Sequence, residues 1–411
     1  MSVRVLKSRV SGPLEPVLPA FAEELNRVGF KKSSAEQHMC FLADLDRWMS
    51  AGDLQVGELT PEVVEAFLEH RRSAGYALFS SWRAITPLLD FLTSTGLLPI
   101  AVPAPSGPVE CLLAGYGSYL ITERGLSAQT VDCYLRCIRP FVVTRLRGDE
   151  LDLAGLTTGD VTRYVTDVCP GMARGSAKLV VTTLRSLLGW LHLTGEVPVA
   201  LSGAVPSAAG WRLARLPEAL EPRAVAGLLG SCDRGTVVGR RDYAILLLLV
   251  RLGLRAGEVA GLVLNDLNWR SGEITVTGKG NRSERLPLPA DVGAAISGYL
   301  RRGRPSAALD RAVFVRVRAP HRGLSVSGVS AVVRGAAGRA GLGQMGAHRL
   351  RHTTATMMLR SGSSLSEVGQ VLRHRTAFST AIYAKVDRDA LRALVVPWPA
   401  GEDLETVGAL S

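Results

Sequence analysis

Six residues in chain order, Arg255, Lys279, His348, Arg351, His374 and Tyr383, carry the side chains that metal-free chemistry on a phosphodiester requires. Such a reaction needs its non-bridging oxygens neutralised, a nucleophile in line, and an acid for the leaving oxygen. Arginine suits the first task because its planar fork makes bidentate bonds to phosphate and keeps its charge, so Arg255 and Arg351 are the candidate clamps. Lys279 suits the last, since an ammonium has a transferable proton and a guanidinium effectively does not. Tyr383, one of eight tyrosines, is the candidate nucleophile. A protonated phenol attacks poorly, so cations must favour the developing phenolate.

The spacing around these residues supports a shared site. His348 and Arg351 stand three apart, which on a helix puts both on one face. Their neighbours Arg349 and His352 should then point elsewhere and make local polar contacts. His374 follows Leu365, Val368, Val371 and Leu372, an amphipathic run that places it at a helix end. Taken singly, each residue has an ordinary structural reading: a solvated arginine, a hairpin-tip lysine, a tyrosine packed in a core with its hydroxyl tethered.

The elements that position them follow from local patterns. Asp242 to Leu254 is almost wholly apolar and predicts a buried helix delivering Arg255 at a glycine-marked turn. Glu273–Thr277 and Glu284–Leu288 alternate as strands around a turn, which puts Lys279 at a hairpin tip. A helix beginning at Pro222 precedes them. Helical patterns cover Ala290 to Leu300, Ser327 to Ala340, His348 to Ser361, Ser364 to Leu372 and Thr376 to Tyr383.

Upstream, two stretches rich in Pro, Gly, Ala and Ser, Leu97 to Pro108 and Pro198 to Pro217, read as linkers. They bound two similar patterns offset by about 93 to 99 residues, the mark of an internal repeat. Ser33 to Trp48, a helix opened by Thr60-Pro61-Glu62 and an end at Gly96 correspond to Leu126 to Val143, a helix opened by Thr157 to Asp160 and an end at Gly195. Each is expected to be a four-helix or five-helix module. Thr60 and Thr157 are N-caps, and Gly96 and Gly195 are left-handed caps.

Composition narrows the partner. At 411 residues the chain should hold two to four folded units. Its net charge of +11 is uneven: −2 over residues 1–105, 0 over 106–210 and +13 over 211–411. A basic surface concentrated in one part favours nucleic acid first and an anionic membrane second. The six cysteines form no Cys-x-x-Cys pair and no zinc spacing, which fits a reduced, cytoplasmic compartment. The longest aliphatic run, Ala244 to Val250, is far too short to span a bilayer, and Met1 to Pro16 does not read as a signal peptide. A soluble protein without membrane contact is expected.

Together the motifs resemble the tyrosine recombinase (phage integrase) family over roughly residues 110–400. Gly253-Leu254-Arg255-Ala256-Gly257-Glu258 looks like its first arginine motif and Thr277-Gly278-Lys279-Gly280 like its hairpin lysine. His348-Arg349-Leu350-Arg351-His352 looks like its His-x-x-Arg motif, and Leu372-Arg373-His374 with Ile382-Tyr383 like its terminal block. The chain departs at position 373, Arg where the family usually has Gly.

The patterns and the resemblance together imply a mainly α multi-domain fold: two small helical modules, the first of them extra to minimal members of the family, then a mostly α catalytic domain with a small antiparallel β-sheet. The expected division is an accessory module over 1–104, a core-binding domain over 105–205, a catalytic domain over 212–400 and a tail over 401–411. It implies a 3′-phosphotyrosyl intermediate at Tyr383 and a free 5′ hydroxyl, with no metal and no cofactor. His348 would act as general base and His374 would hydrogen-bond the phosphate. The implied partners are double-stranded DNA and three further protomers in a tetramer, assembled through an apolar segment from Leu391 to Trp398. A mobile element is the expected setting. The other readings of the residues are a type IB topoisomerase and a catalytically silent DNA-binding subunit.

Overall fold

The computed structural model describes residues 11–98, 107–207, 219–278, 282–373, 380, 382 and 383. Spatial contacts divide the chain into two compact units, Met1–Pro99 together with Arg215–Ser411, and Ile100–Ala214. Among the described residues three large apolar clusters serve as cores, beside two small ones.

The amino-terminal module consists of helices α1 (Leu18–Arg27), α2 (Lys32–Ala51), α3 (Pro61–Ser73) and α4 (Trp82–Ser94). Thr60 caps α3 as expected, its hydroxyl accepting from the Val63 amide with Pro61 in the first turn. Phe21, Leu25, Leu42, Leu45, Phe67, Leu68 and Leu92 fill the interior. Two charges are buried here and both are answered locally. The Asp46 carboxylate accepts the amides of Gly12 and Leu14 at 3.0 and 2.9 Å. Arg71 pairs with Asp44 at 2.5 Å and lies over the rings of Tyr76 and Phe41, 4.1 and 5.1 Å from their centroids. An ion pair between Asp90 of α4 and Arg322, 2.8 Å, ties this module to the carboxy-terminal part of the chain.

The unit spanning Ile100–Ala214 holds α5 (Pro108–Thr122), α6 (Ala128–Val143), α7 (Thr158–Val168) and α8 (Arg174–Leu193). The Thr157–Asp160 capping box forms as read, with Asp160 amide to Thr157 hydroxyl at 3.2 Å and the reciprocal bond at 3.0 Å. Between α6 and α7 lies a two-residue hairpin, β1 (Leu146–Arg147) with β2 (Glu150–Leu151), that the periodicity did not reveal. Its strands are too short for alternation to register. The stretch from Pro198 is also less of a linker than its composition implies: Leu201 and Val205 are buried in this core, and Arg185 donates to the Val205 carbonyl at 2.8 Å. Gly96 and Gly195, at φ +74° and +80°, end α4 and α8 in the left-handed region.

The remaining elements are α9 (Pro222–Gly230), α10 (Val237–Arg251), α11 (Ala256–Gly261), β3 (Leu267–Asn268), β4 (Glu273–Thr277), β5 (Ser283–Pro287), α12 (Ala290–Arg302), α13 (Val326–Arg339), α14 (Ala347–Arg360) and α15 (Leu365–Val371). Helix α10 is central, with Ala244 through Val250 all buried. It starts five residues before the apolar run because Thr236 caps it, its hydroxyl accepting the Gly239 amide at 3.0 Å. The strands form one antiparallel sheet in the order β3-β4-β5, with Glu273 opposite Pro287 and Thr277 opposite Ser283. Helix α14 packs on α10, where the Thr354 hydroxyl donates to the Val250 carbonyl at 2.7 Å. Thr353 accepts the Leu220 amide at 2.9 Å. The bond from Thr354 holds α14, which carries Arg351, against the end of α10, from which the chain turns to Arg255. Among the described residues no helix is long and apolar enough to cross a membrane, and no group of three His, Cys, Asp or Glu side chains could hold a metal ion.

Candidate active site

Arg255 occupies the turn between α10 and α11. Gly253, at φ +57°, makes that turn: a side chain there would be strained, and its Cβ would stand 2.5 Å from a Leu372 methyl. Arg255 then becomes the N-cap of α11, and Glu258 in the first turn answers it twice. One carboxylate oxygen takes the Arg255 guanidinium at 2.6 Å and the other takes its backbone amide at 2.8 Å. The Arg255 side chain stays 39 % exposed, whereas that of Glu258 is 3 % exposed.

A third donor reaches the same carboxylate. Arg373, just past the end of α15, places its guanidinium 2.7 Å from the second Glu258 oxygen and donates to the Val371 carbonyl at 3.2 Å. Its backbone is left-handed at φ +54°. This is the conformation for which glycine is the default and which costs another residue about 1–2 kcal/mol. Burial opposes the charge on Glu258, yet the Arg255 hydrogen bonds and the Arg373 charge hold its carboxyl below the ordinary carboxylate range.

Arg351, in the first half of α14, is 1 % exposed. Its guanidinium donates to the Gly253 carbonyl at 2.6 Å and to the Leu372 carbonyl. It thereby joins the Arg255 turn to the end of α15. Burial first, then repulsion from Arg255, pushes its pKa down to about 10. Among the described residues it makes no direct ion pair. The fields of Arg255, Glu258, Arg373 and Tyr383 all act on it, so these groups share one pocket of charge: three guanidiniums against one carboxylate.

His348 lies in the first turn of α14. Burial, followed by the charges of Arg351 and Arg255, lowers its pKa and keeps the imidazole neutral. Four residues along, His352 stands edge to face with it at 4.5 Å. The expectation that His352 would point away toward local contacts is corrected here. Its Nδ1 lies 2.7 Å from the Tyr383 hydroxyl, and the two rings meet edge to face at 5.4 Å. Burial, with His348 and Arg351 adding to it, lowers the His352 pKa to about 4, so the ring that meets the phenol is neutral. Tyr383 itself is buried, in a small apolar cluster with Ala355, Val368 and Leu372. That burial raises its pKa to about 12 despite the opposing field of Arg351.

Four of the six residues singled out by type and spacing, Arg255, His348, Arg351 and Tyr383, therefore converge on one place. Lys279 and His374 lie outside the described residues, as does the segment from Leu391 to Trp398. Gly278, the last residue described before Lys279, does reach the cluster: a Cβ there would stand 3.6 Å from a Glu258 oxygen. Glu258 and His352 were not read as site residues. The spacing of Glu258 behind Arg255, three residues with an intervening glycine, is a capping-box signal that could have found it.

Known proteins are similar over nearly the whole chain. Residues 218–389 match the phage integrase family, and residues 113–195 match the N-terminal SAM-like domain of phage integrases. A Sinorhizobium fredii protein bearing the name integrase/recombinase y4rA is 39% identical over 393 residues, 94% of this chain and 95% of its own. Tyrosine recombinase XerD of Corynebacterium glutamicum is 31% identical over 287 residues, covering 67% of this chain and 93% of its own. The crystal structure of a lambda integrase tetramer bound to a Holliday junction is similar in fold, with a TM-score of 0.52 at 17% identity, covering 74% of this chain and 90% of that one. With relatives this close over nearly its full length, the chain belongs to the phage integrase family and is a tyrosine recombinase.

Proposed function

We propose that this recombinase cuts and rejoins DNA by transesterification at Tyr383. The phenol oxygen attacks phosphorus, the bond to the 5′ oxygen breaks, and a 3′-phosphotyrosyl link replaces the original ester. One phosphodiester is exchanged for another, so the step needs neither a metal nor a high-energy cofactor. Arg255 and Arg351 bind the non-bridging oxygens. Tyr383 passes its proton to the imidazole pair His348 and His352, of which His352 already bonds the phenol. Lys279 protonates the departing 5′ oxygen and His374 bonds the phosphate. Attack by a partner strand's 5′ hydroxyl then reverses the chemistry and completes exchange.

The observation that carries this reading is the charge imbalance around Arg351, a buried cation flanked by two more arginines with Glu258 as the one carboxylate among the described residues of the cluster. A phosphate would supply the missing negative charge, and the basic balance of residues 211–411 would draw DNA to it. Tyr383 is buried and its pKa is raised to about 12, so the cations of the cluster must favour the phenolate as it attacks. The lambda integrase tetramer on a Holliday junction supports a tetramer of this chain on two DNA sites, and the relatives named integrase support movement of a mobile element.

A suicide substrate drawn from the DNA flanking the reading frame, nicked near the cleavage point, tests the chemistry. The wild-type protein should become covalently attached to it and Tyr383→Phe should not. An adduct that persists in the variant would show the nucleophile to be another residue.

A further inference from the structure

We propose that Arg373 is a positioning residue for Arg255, acting through Glu258. The Glu258 carboxylate is held by three donors: the Arg255 guanidinium at 2.6 Å, the Arg255 amide at 2.8 Å and the Arg373 guanidinium at 2.7 Å. Arg255 is the partly exposed member of this set, while the Arg373 side chain is 6 % exposed and that of Glu258 3 %. The interior end of the chain of contacts is therefore fixed and its outer end faces the space a phosphate would enter. Without Arg373 the carboxylate would face only Arg255. It could then fold over that guanidinium and compete with the phosphate for its donors.

The backbone supports the same assignment. Position 373 follows a helix end in the left-handed region, where glycine fits without strain. An arginine held there by tertiary contacts points to work done by its side chain. That side chain has two fixed partners, the Glu258 carboxylate and the Val371 carbonyl. Through them the end of α15, where Leu372 also accepts from Arg351, is locked to the first turn of α11. Arg373 thus couples the end of α15 to the Arg255 clamp.

The inference rests on the proposed phosphate-binding role of Arg255, and the test separates the two. The rate of covalent adduct formation at saturating nicked DNA, the affinity for uncut DNA and the melting temperature are measured for Arg373→Gly, Arg373→Lys, Glu258→Gln, the Arg373→Gly/Glu258→Gln pair, and Arg255→Ala. Glycine relieves the left-handed backbone and offsets part of the lost ion pair, so Arg373→Gly should remain folded with at most a modestly lowered melting temperature while its maximal cleavage rate falls by about 10²-fold from loss of positioning. Its DNA affinity should stay within about 3-fold, because a misplaced clamp costs more at the transition state than in the ground state. Lysine should restore part of the rate. In the Glu258→Gln background the glycine substitution should change the rate by no more than about 2-fold, since both act through one contact. A wild-type rate in Arg373→Gly, or rate losses that multiply in the pair, would overturn the inference. Should Arg255→Ala cleave normally, the phosphate-clamp reading itself fails; a dead Arg255→Ala beside a wild-type Arg373→Gly rejects the positioning role alone.

Discussion

Arg71 and Arg351 are both buried guanidiniums, and their surroundings differ in charge. Arg71, in the amino-terminal module, has the Asp44 carboxylate at 2.5 Å and the faces of Tyr76 and Phe41 beneath it. Its positive charge is answered inside the module. Arg351 donates to two main-chain carbonyls, while Arg255 and Arg373 press their charges on it and Glu258 is divided between those two. Carbonyl dipoles orient a guanidinium but do not neutralise it. Burial of a cation is thus a poor sign of function, and a local deficit of carboxylate is a better one.

That contrast can be broken by removing each arginine in turn. Arg351→Ala should lower the rate of covalent DNA attachment by about 10³-fold, the loss of a major phosphate contact, in protein that still folds. A rate within an order of magnitude of wild type, measured in single-turnover cleavage, would make Arg351 a structural cation like Arg71. For Arg71→Met the expected effect falls on stability, about 2–3 kcal/mol from the lost ion pair and ring contacts. Denaturant titration of the full chain would read it, with the rate of the chemical step unchanged in the folded protein. A cleavage defect without destabilisation would bring the amino-terminal module into the reaction.

A smaller effect separates the two regions by pH. Burial lowers the pKa of His38 in the amino-terminal module to about 4, and the His352 pKa is also lowered to about 4. For a histidine whose folded pKa lies below its unfolded value of about 6.5, the unfolded chain binds more protons in between. Stability is then fully present above pH 6.5 and is lost as pH falls toward 4. His38 sits edge-on between Phe30 and Phe79, so His38→Phe keeps the packing and should flatten that loss, by about 1–2 kcal/mol at pH 5. Cleavage should depend on His352 instead. If His38→Phe shifts the pH profile of cleavage rather than that of melting, the division of roles between the two histidines is wrong.

Much of this arrangement was legible in the chain, and the gaps have physical causes. The capping residues Thr60 and Thr157, the glycine ends at 96 and 195, and the apolar core of α10 are local, and local rules found them. Arg255, His348 and Arg351 were found because a motif with fixed spacing puts them on a turn and one helix face. The bond from Tyr383 to His352 joins residues 31 apart and depends on how the chain returns to α14, which periodicity does not encode. The same holds for Arg373, whose identity was visibly unusual but whose partner Glu258 lies 115 residues earlier. Residues 198–205 were misread because small residues and prolines describe a loop equally well whether or not its few apolar side chains find a core.

The most direct test of the central claim maps the covalent bond. The complex trapped on the nicked substrate is digested with protease and nuclease, and the peptide that retains a nucleotide is sequenced by mass spectrometry. The account predicts a 3′-linked nucleotide on Tyr383; a nucleotide on any other residue, or on the 5′ end of the cut strand, would contradict it.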